Sequence, residues 1–385
     1  MKRIGIVGGG FAGTWAAMSA AATREQQNAD GIDITLVSAS ESLCIRPRLY
    51  EAISEDMQVP LRPLLDEIKV GFVHARVDSI SGMAVHTSEG ALEFDKIILC
   101  AGSRMVMPDI DGASEVGFSI DTYQDAERLE AHLNTLDFET VQPACVVVVG
   151  ASFTGIELVT GLRKRLGDAA RLILVDRSEE PGQILGPNVT PHVENALRDL
   201  NIETQSNVGV DTVGPSGIKL TNGKRIETST VVFATGLAAS KLSRDIASAH
   251  QIEADGRIEV DAMLRAPGRP NLFAAGDVAR AKTDPEHHTL MSCQHAMPMG
   301  VAAGQNAVLE TLGLDLRPYK QPFYATCLDL GDAGAVFTQG WDRQIAKVGT
   351  AGAEMKAEIN TKWIYPPSPT IGRKQIFAMI APNLD

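Results

Sequence analysis

The chain is poor in aromatic residues (5% of 385) and carries no excess of positive charge. Its net charge of −13 repels phosphate, which excludes nucleic acid as a partner and argues against broad adhesion to anionic lipid. The five cysteines (Cys44, Cys100, Cys145, Cys293 and Cys327) form no CxxC pair and no metal-ligand spacing. So odd and dispersed a set reads as reduced thiols of a cytoplasmic protein, without a disulfide framework or a metal site. Heptads, internal repeats and low-complexity tracts are missing as well. Beyond the N-terminus no stretch approaches the ~18–20 apolar residues needed to cross a bilayer. At the N-terminus, Lys2-Arg3 and the run from Ile4 to Ala22 imitate a signal peptide. Four glycines in the first ten positions favour a strand, a turn and a helix instead.

What is present is glycine, 35 residues of it, and it is patterned. Ile4-Gly5-Ile6-Val7 leads into Gly8-Gly9-Gly10-Phe11-Ala12-Gly13, and about 140 residues later Val146–Val149 leads into Gly150-Ala151-Ser152-Phe153-Thr154-Gly155. Each turn follows a β-branched strand and opens a small-residue helix. Glycine permits the tight turn, lets the backbone approach a pyrophosphate and packs helix on strand. The helix N-terminus then presents free N–H groups and a positive dipole end to the phosphates. Two such turns imply two dinucleotide sites, most simply one holding FAD and one exchanging NAD(P)H.

A 385-residue chain forms two or three domains. Ile32–Val37 reads as the next strand of the first βαβ unit, ending at Ser38 where such units usually place a ribose-binding acid. Val70 to Phe94 alternates as a meander, Lys96–Gly102 closes it, and a linker leads to a helix near Tyr123–Leu136. The second unit ends at Leu172–Asp176. Asp176 stands 21 residues after Gly155, close to the expected ~20, and its carboxylate favours NADH by repelling a 2′-phosphate. Arg177 beside it leaves NADPH open. Further on come Val231–Gly236, Asn271–Val278, Ser292–Ala296 with a glycine-spaced helix to about Leu312, and a tail of mixed strands and turns.

Given these motifs, the chain resembles the type II NADH dehydrogenase-like (NADH:quinone oxidoreductase) branch of the two-dinucleotide-fold flavoproteins, within the pyridine nucleotide-disulfide oxidoreductase superfamily. The matching elements run from residue 4 to about residue 306: both turns, Pro47–Tyr50, Pro60–Leu65, Asp125-Ala126, Phe233–Gly236, Gly256-Arg257 with Val260, and Phe273–Asp277. The resemblance implies an α/β fold with two Rossmann-like, glutathione-reductase-like dinucleotide domains and a short mixed C-terminal segment. Residues 1–115 and 250–312 would bind FAD, 116–249 NAD(P)H, and 313–385 would form an interface, substrate or membrane contact.

It also implies the site. FAD would contact Gly8, Gly10, Phe11, Ala12, Gly13, Ser38, Arg48, Ala101, Gly102, Gly276, Asp277, Gln294 and His295, with Asp277 on the ribityl chain. NAD(P)H would contact Gly150, Ser152, Phe153, Thr154, Gly155, Glu157, Asp176, Arg177, Thr235 and Gly236. Gln294, Glu157 and His295 are the catalytic candidates: Gln294 tuning the flavin at a helix start, Glu157 near the nicotinamide, His295 as a proton relay. Each has a plainer reading, respectively a polar cap, a first-turn glutamate and a packed imidazole. Cys44 and Cys293 lack the CxxxxC arrangement of disulfide reductases, since position 49 is Leu49, although a redox role for Cys293 stays open. His287-His288 reads as solvent-exposed.

Departures concern the acceptor. Pro298 and Met299 stand where quinone-reducing relatives are glutamine-rich, Cys293 replaces an alanine, and the tail is short. Residues 341–374 carry six basic residues against three acidic, read as solvated lysines with peripheral membrane contact as the alternative. The expectation is an FAD-dependent NAD(P)H dehydrogenase of the cytoplasm, homodimeric, passing hydride to a quinone or similar small acceptor. Two alternatives remain: a flavin-dependent tailoring reductase, oxidase or monooxygenase, and a redox-sensing nucleotide-binding protein.

Overall fold

The structure, a computed structural model, describes residues 1–136, 144–247 and 251–380. Its centre is a six-stranded sheet in the order Arg265–Ala266, Arg269–Ala274, Lys96–Leu99, Lys2–Val7, Ile32–Ser38, Gly71–His74. All neighbours are parallel except the first pair, a short hairpin. The first strand lies inside the sheet, with Ile4 opposite Ile34 and Ile6 opposite Leu36, all four fully buried. A parallel strand covered on both faces must be apolar throughout, and this accounts for the unbroken run at Ile4–Val7. The N-terminal segment is thus strand, turn and helix, Lys2–Val7 followed by Phe11–Gln26.

A second parallel sheet repeats the plan on four strands, in the order Glu203–Gln205, Arg171–Val175, Cys145–Val149, Thr230–Phe233. Val146, Val147 and Val148 are fully buried, and the Phe153–Leu166 helix follows. Each large sheet has a three-stranded antiparallel companion, Val77–Glu93 for the first and Val210–Glu227 for the second. The expected meander from Val70 to Phe94 therefore divides, because Gly71–His74 pairs in parallel with Ile32–Ser38. The linker helix spans Tyr123–Leu133, opened by a capping box between Thr122 and Asp125. The expected boundary between positions 249 and 250 lies outside the described residues.

The tail is more ordered than its sequence implies. Ala325–Asp329, Ala335–Gln339 and Gln344–Val348 form an antiparallel sheet backed by the Gly349–Glu358 helix, which runs into a π-helical turn at Ile359–Trp363. A last helix, Arg373–Ile380, returns to the first domain, where the Arg373 N–H donates to Glu67 at 2.8 Å. Among the described residues no helix is long and apolar enough to cross a membrane.

The Cys293–Thr311 helix lies directly on the first helix. A Cβ on Gly300 would stand 2.2 Å from the Ala12 carbonyl oxygen, and one on Gly304 2.3 Å from that of Ala16. The backbones touch, and Ser19 adds a hydrogen bond to the Val301 carbonyl at 2.6 Å. Gly304→Ala should therefore force the pair apart and cost about 1–3 kcal/mol. Urea unfolding checks this, and an unchanged midpoint would show that the contact is soft.

Candidate active site

Both glycine turns fold by the same constraint. Gly8 and Gly150 adopt φ of +110° and +109°, a left-handed region that other residues rarely enter. A Cβ on Gly13 would fall 1.8 Å from the Gly8 carbonyl oxygen, and one on Gly155 would fall 1.8 Å from that of Gly150. Each helix therefore starts hard against its own strand end. Neither has a side-chain cap or an acidic residue in its first turn, unlike the boxed Tyr123 helix. Gly10 is exposed with open space where a Cβ would stand, and Phe11 and Ser152 flank the two mouths. Bare N–H groups, a positive dipole end and room for backbone approach together make an anion site.

The acids behind the turns differ. Asp176 accepts from the Ala151 N–H at 2.6 Å and the Ser178 N–H at 2.7 Å, so its carboxylate fastens the second turn while keeping lone pairs for a ribose hydroxyl. Arg177 is exposed, with its stem beside Gly209. At the first turn Ser38 is buried next to Gly9, and its hydroxyl accepts from the Ser40 N–H at 3.1 Å. Thr235 and Gly236 follow the strand beside Gly150 and are tied to Val106 at 2.8 and 3.1 Å. Thr154 is exposed at the start of the second helix. Ala101 and Gly102 follow Lys96–Leu99 beside the first turn, Gly102 with φ +66°.

Asp277 sits where Gly276 turns the chain out of its strand. Ser103 donates to it at 2.6 Å, and the Arg46 guanidinium lies 3.9 Å away while also gripping Asp121. Burial pushes the Asp277 carboxyl above the usual range, opposed by the Ser103 hydrogen bond and by Arg46. The arginine that the sequence places near the flavin is Arg48. Arg48 is turned toward Glu51, Asp56 and Tyr365, with hydrogen bonds of 3.0, 2.5 and 2.5 Å, so the guanidinium beside Asp277 belongs to Arg46. The two arginines flank Pro47, and the sequence holds no signal that separates them.

The Cys293–Thr311 helix contributes a third uncapped N-terminus. Gln294 is held in place. Its side-chain amide pairs with both polar groups of Ala325, at 2.7 and 3.0 Å, and so joins the tail sheet to the helix start. That pairing uses one N–H and one lone pair of the carboxamide, and the helix N-terminus beside it is uncapped. His295 is buried, and its Nδ1 meets the Gln321 oxygen at 2.8 Å, which also accepts from Tyr319 at 2.5 Å. That oxygen is an acceptor, so the proton sits on Nδ1. Burial lowers the His295 pKa, against the Gln321 hydrogen bond, which leaves a neutral ring. Its Nε2 and the buried Ser292 hydroxyl have no partner among the described residues. These orphaned polar atoms, the bare helix termini and the polar Asp277–Ser103–Arg46 set fit FAD, whose phosphates, ribityl hydroxyls and ring edge need such groups.

Glu157 is buried and hydrogen-bonded by Lys356 at 2.6 Å and by the Asp329 N–H at 3.1 Å. Lys356 also donates to the Cys327 carbonyl at 3.1 Å and lies 5.3 Å from the centre of the Tyr50 ring. Burial pushes the Glu157 carboxyl up, with Lys356 opposing. Burial also works against the Lys356 charge, but Glu157 more than offsets it and holds that pKa above its usual value. The pair keeps its proton on lysine while the carboxylate is ready to take another. The sequence reads Lys356 as a solvated lysine; the structure corrects this, because its helix packs on the tail sheet and delivers it inward. Tyr50 extends the network to Asp329 at 2.9 Å, and Asn360 links Tyr50 to Glu51 at 3.2 and 2.8 Å.

All five cysteines are free. Burial pushes the thiols of Cys44, Cys293 and Cys327 up to about 11, so each stays protonated at neutral pH and is a poor nucleophile. His287 and His288 are half-buried rather than exposed. His287 pairs with Asp284 at 2.9 Å and stacks on Trp341, and the described residues hold no cluster able to bind a metal ion.

An NADH dehydrogenase-like protein of Mycobacterium tuberculosis is 40% identical over 399 residues, covering 100% of this chain and 99% of its own. The demethylphylloquinone reductase of Synechocystis is 26% identical over 354 residues, covering 87% and 86%. Among solved structures, NDH2 from Plasmodium falciparum in complex with NADH superposes with a TM-score of 0.75 at 14% identity, covering 98% and 97%. The family profile that matches, over residues 2–300, is the pyridine nucleotide-disulphide oxidoreductase family, and the chain belongs to it.

Proposed function

We propose that the chain is an FAD-dependent NADH dehydrogenase that delivers electrons to a quinone. The observation that carries this is the duplicated turn, with the same 1.8 Å approach at Gly13 and Gly155 and no cap on either helix. In this reading residues 1–115 with 250–312 hold FAD, and 116–249 hold the nicotinamide nucleotide. When bound, FAD supplies the two-electron relay, accepting hydride from NADH at N5 and passing the electrons on. The protein's share is placement and proton supply. Gly150–Gly155 grips the NADH pyrophosphate and Asp176 takes the adenosine ribose. The start of the Cys293 helix stabilises negative charge at the ring edge.

A quinone needs two electrons and two protons, whereas NADH brings two electrons with one hydrogen. Glu157 supplies the balance: its carboxylate, held against the Lys356 ammonium between the second helix and the tail sheet, takes up a proton and passes it on. The tail also exposes Trp363 and Met379, by 52% and 57%, each with an exposed lysine near it in sequence, Lys362 and Lys374. These side chains support peripheral contact with a quinone-bearing membrane.

Purified protein should be yellow, and anaerobic NADH should bleach it, with quinone restoring the colour. Flavin that stays oxidised under saturating NADH rules the reading out. Replacing Asp176 with Ala removes the carboxylate that repels a 2′-phosphate, so the NADH-over-NADPH preference in kcat/KM should fall at least about tenfold. An unaltered ratio would place nucleotide choice elsewhere.

Lys356→Met strands the Glu157 carboxylate without its cation and should cost about 3–5 kcal/mol of stability. Glu157→Gln is milder and serves the kinetics. In stopped flow its reduction by NADH should stay within about threefold of wild type, while reoxidation by quinone slows at least about tenfold, the scale of a lost acid–base group. Burial raises the Glu157 pKa, so its charged form disappears as pH falls through a value above the ordinary carboxylate of about 4.3. Delivery needs the protonated carboxyl, so the wild-type reoxidation rate should fall as pH rises through that value, and Glu157→Gln should lack this limb. An identical limb in both proteins would exclude Glu157.

A further inference from the structure

The tip of the tail hairpin, Gly340–Arg343, reaches out of its own sheet and touches the nucleotide-binding half of the molecule. Arg343 Nη1 donates to the carbonyls of Ile184 and Leu185, at 3.3 and 3.1 Å. From the other side the Asn188 amide donates to the Asp342 carbonyl at 2.9 Å. The gripped segment adjoins the second glycine turn, where the Gly182 N–H donates to the Ala151 carbonyl at 3.1 Å. The same guanidinium lies 5.9 Å from the centre of the Phe153 ring, the first residue of the helix opened by that turn.

Three features mark this contact as more than a surface latch. Arg343 has φ of +50°, a conformation that costs a non-glycine residue energy and persists only where surroundings impose it. Its Nε is buried without a partner among the described residues. The hairpin is also anchored behind the tip, since Trp341 is sandwiched between His287 and Tyr324 with ring centres 4.4 and 4.2 Å apart. Tyr324 stacks in turn on His295, at the start of the Cys293 helix. The tip is therefore held by one half of the molecule and pressed against the nucleotide turn of the other.

Resting on the reading that Gly150–Gly155 binds NADH, we propose that Arg343 is a positioning residue for the nicotinamide nucleotide. The tail hairpin completes a site that the nucleotide domain alone leaves open. Arg343 fixes the 182–188 segment and Phe153 around the turn. NADH affinity then depends on a residue outside the dinucleotide fold.

The test uses flavin-loaded protein. Arg343→Met keeps length and removes the donors, so KM for NADH should rise about tenfold, the scale of a lost hydrogen bond from a charged group. KM for the quinone should stay within twofold. Arg343→Lys should recover part of the loss, and Asn188→Ala, on the opposite side of the clasp, should raise KM for NADH about threefold. A binding readout needs no turnover. With Trp15 and Trp363 replaced by Phe, quenching of Trp341 emission by NAD+ should report a Kd weakened by the same factor in Arg343→Met. Unchanged NADH KM and NAD+ Kd in folded Arg343→Met, or a quinone KM that rises equally, overturns the proposal. Wild-type protein that neither binds nor oxidises NADH would instead overturn the parent reading.

Discussion

A carbonyl oxygen 1.8 Å from where a Cβ would stand admits only glycine, and this happens twice, at Gly13 and Gly155. The rest of the architecture follows from it. Because each helix starts against its own strand, its unpaired N–H groups are brought to the carboxyl end of a parallel sheet, where a ligand has access. Because no side chain caps either helix, those groups are left for a ligand. The linker helix differs: Thr122 and Asp125 close its terminus with their own side chains.

Much of the fold was legible because it depends on short-range chemistry. The buried parallel strands appear as unbroken apolar runs, and the turns appear as glycine spacing that few other structures demand. Asp176 could be found by counting from Gly155. The site's polar groups were less legible, since their partners are far away in the chain. Arg46 and Arg48 are two residues apart, and only the backbone path through Pro47 decides which one faces Asp277. Lys356 looks like any helical lysine until its helix is laid on the tail sheet and its ammonium meets Glu157, 199 positions away. Gln294 is visible in the sequence as a residue at a helix start, but its carboxamide pairs with Ala325, a partner no local pattern predicts.

The tail is where sequence reading was weakest and where the structure adds most. Read as mixed strands and turns, it supplies a cation to the second helix through Lys356, a strand to Gln294, and a hairpin tip to the 182–188 segment. Each is a polar contact between segments far apart in the chain. Such contacts contribute modestly to stability but strongly to geometry, since each fixes direction as well as distance. A segment too small to build a large core of its own thus acts as the brace between two nucleotide folds.

The direct backbone contact between the first helix and the Cys293 helix has a mechanical consequence. Gly300 and Gly304 leave no side-chain layer to deform, so the two helices translate and tilt as a single lever. Both helix starts lie at the same end of that lever, since a Cβ on Gly276 would stand 2.7 Å from the Ala12 side chain and 3.5 Å from that of Ala296. A displacement of the first glycine turn is therefore carried to the start of the Cys293 helix without slack, and any compliance the catalytic cycle requires has to reside in the segments outside that rigid pair.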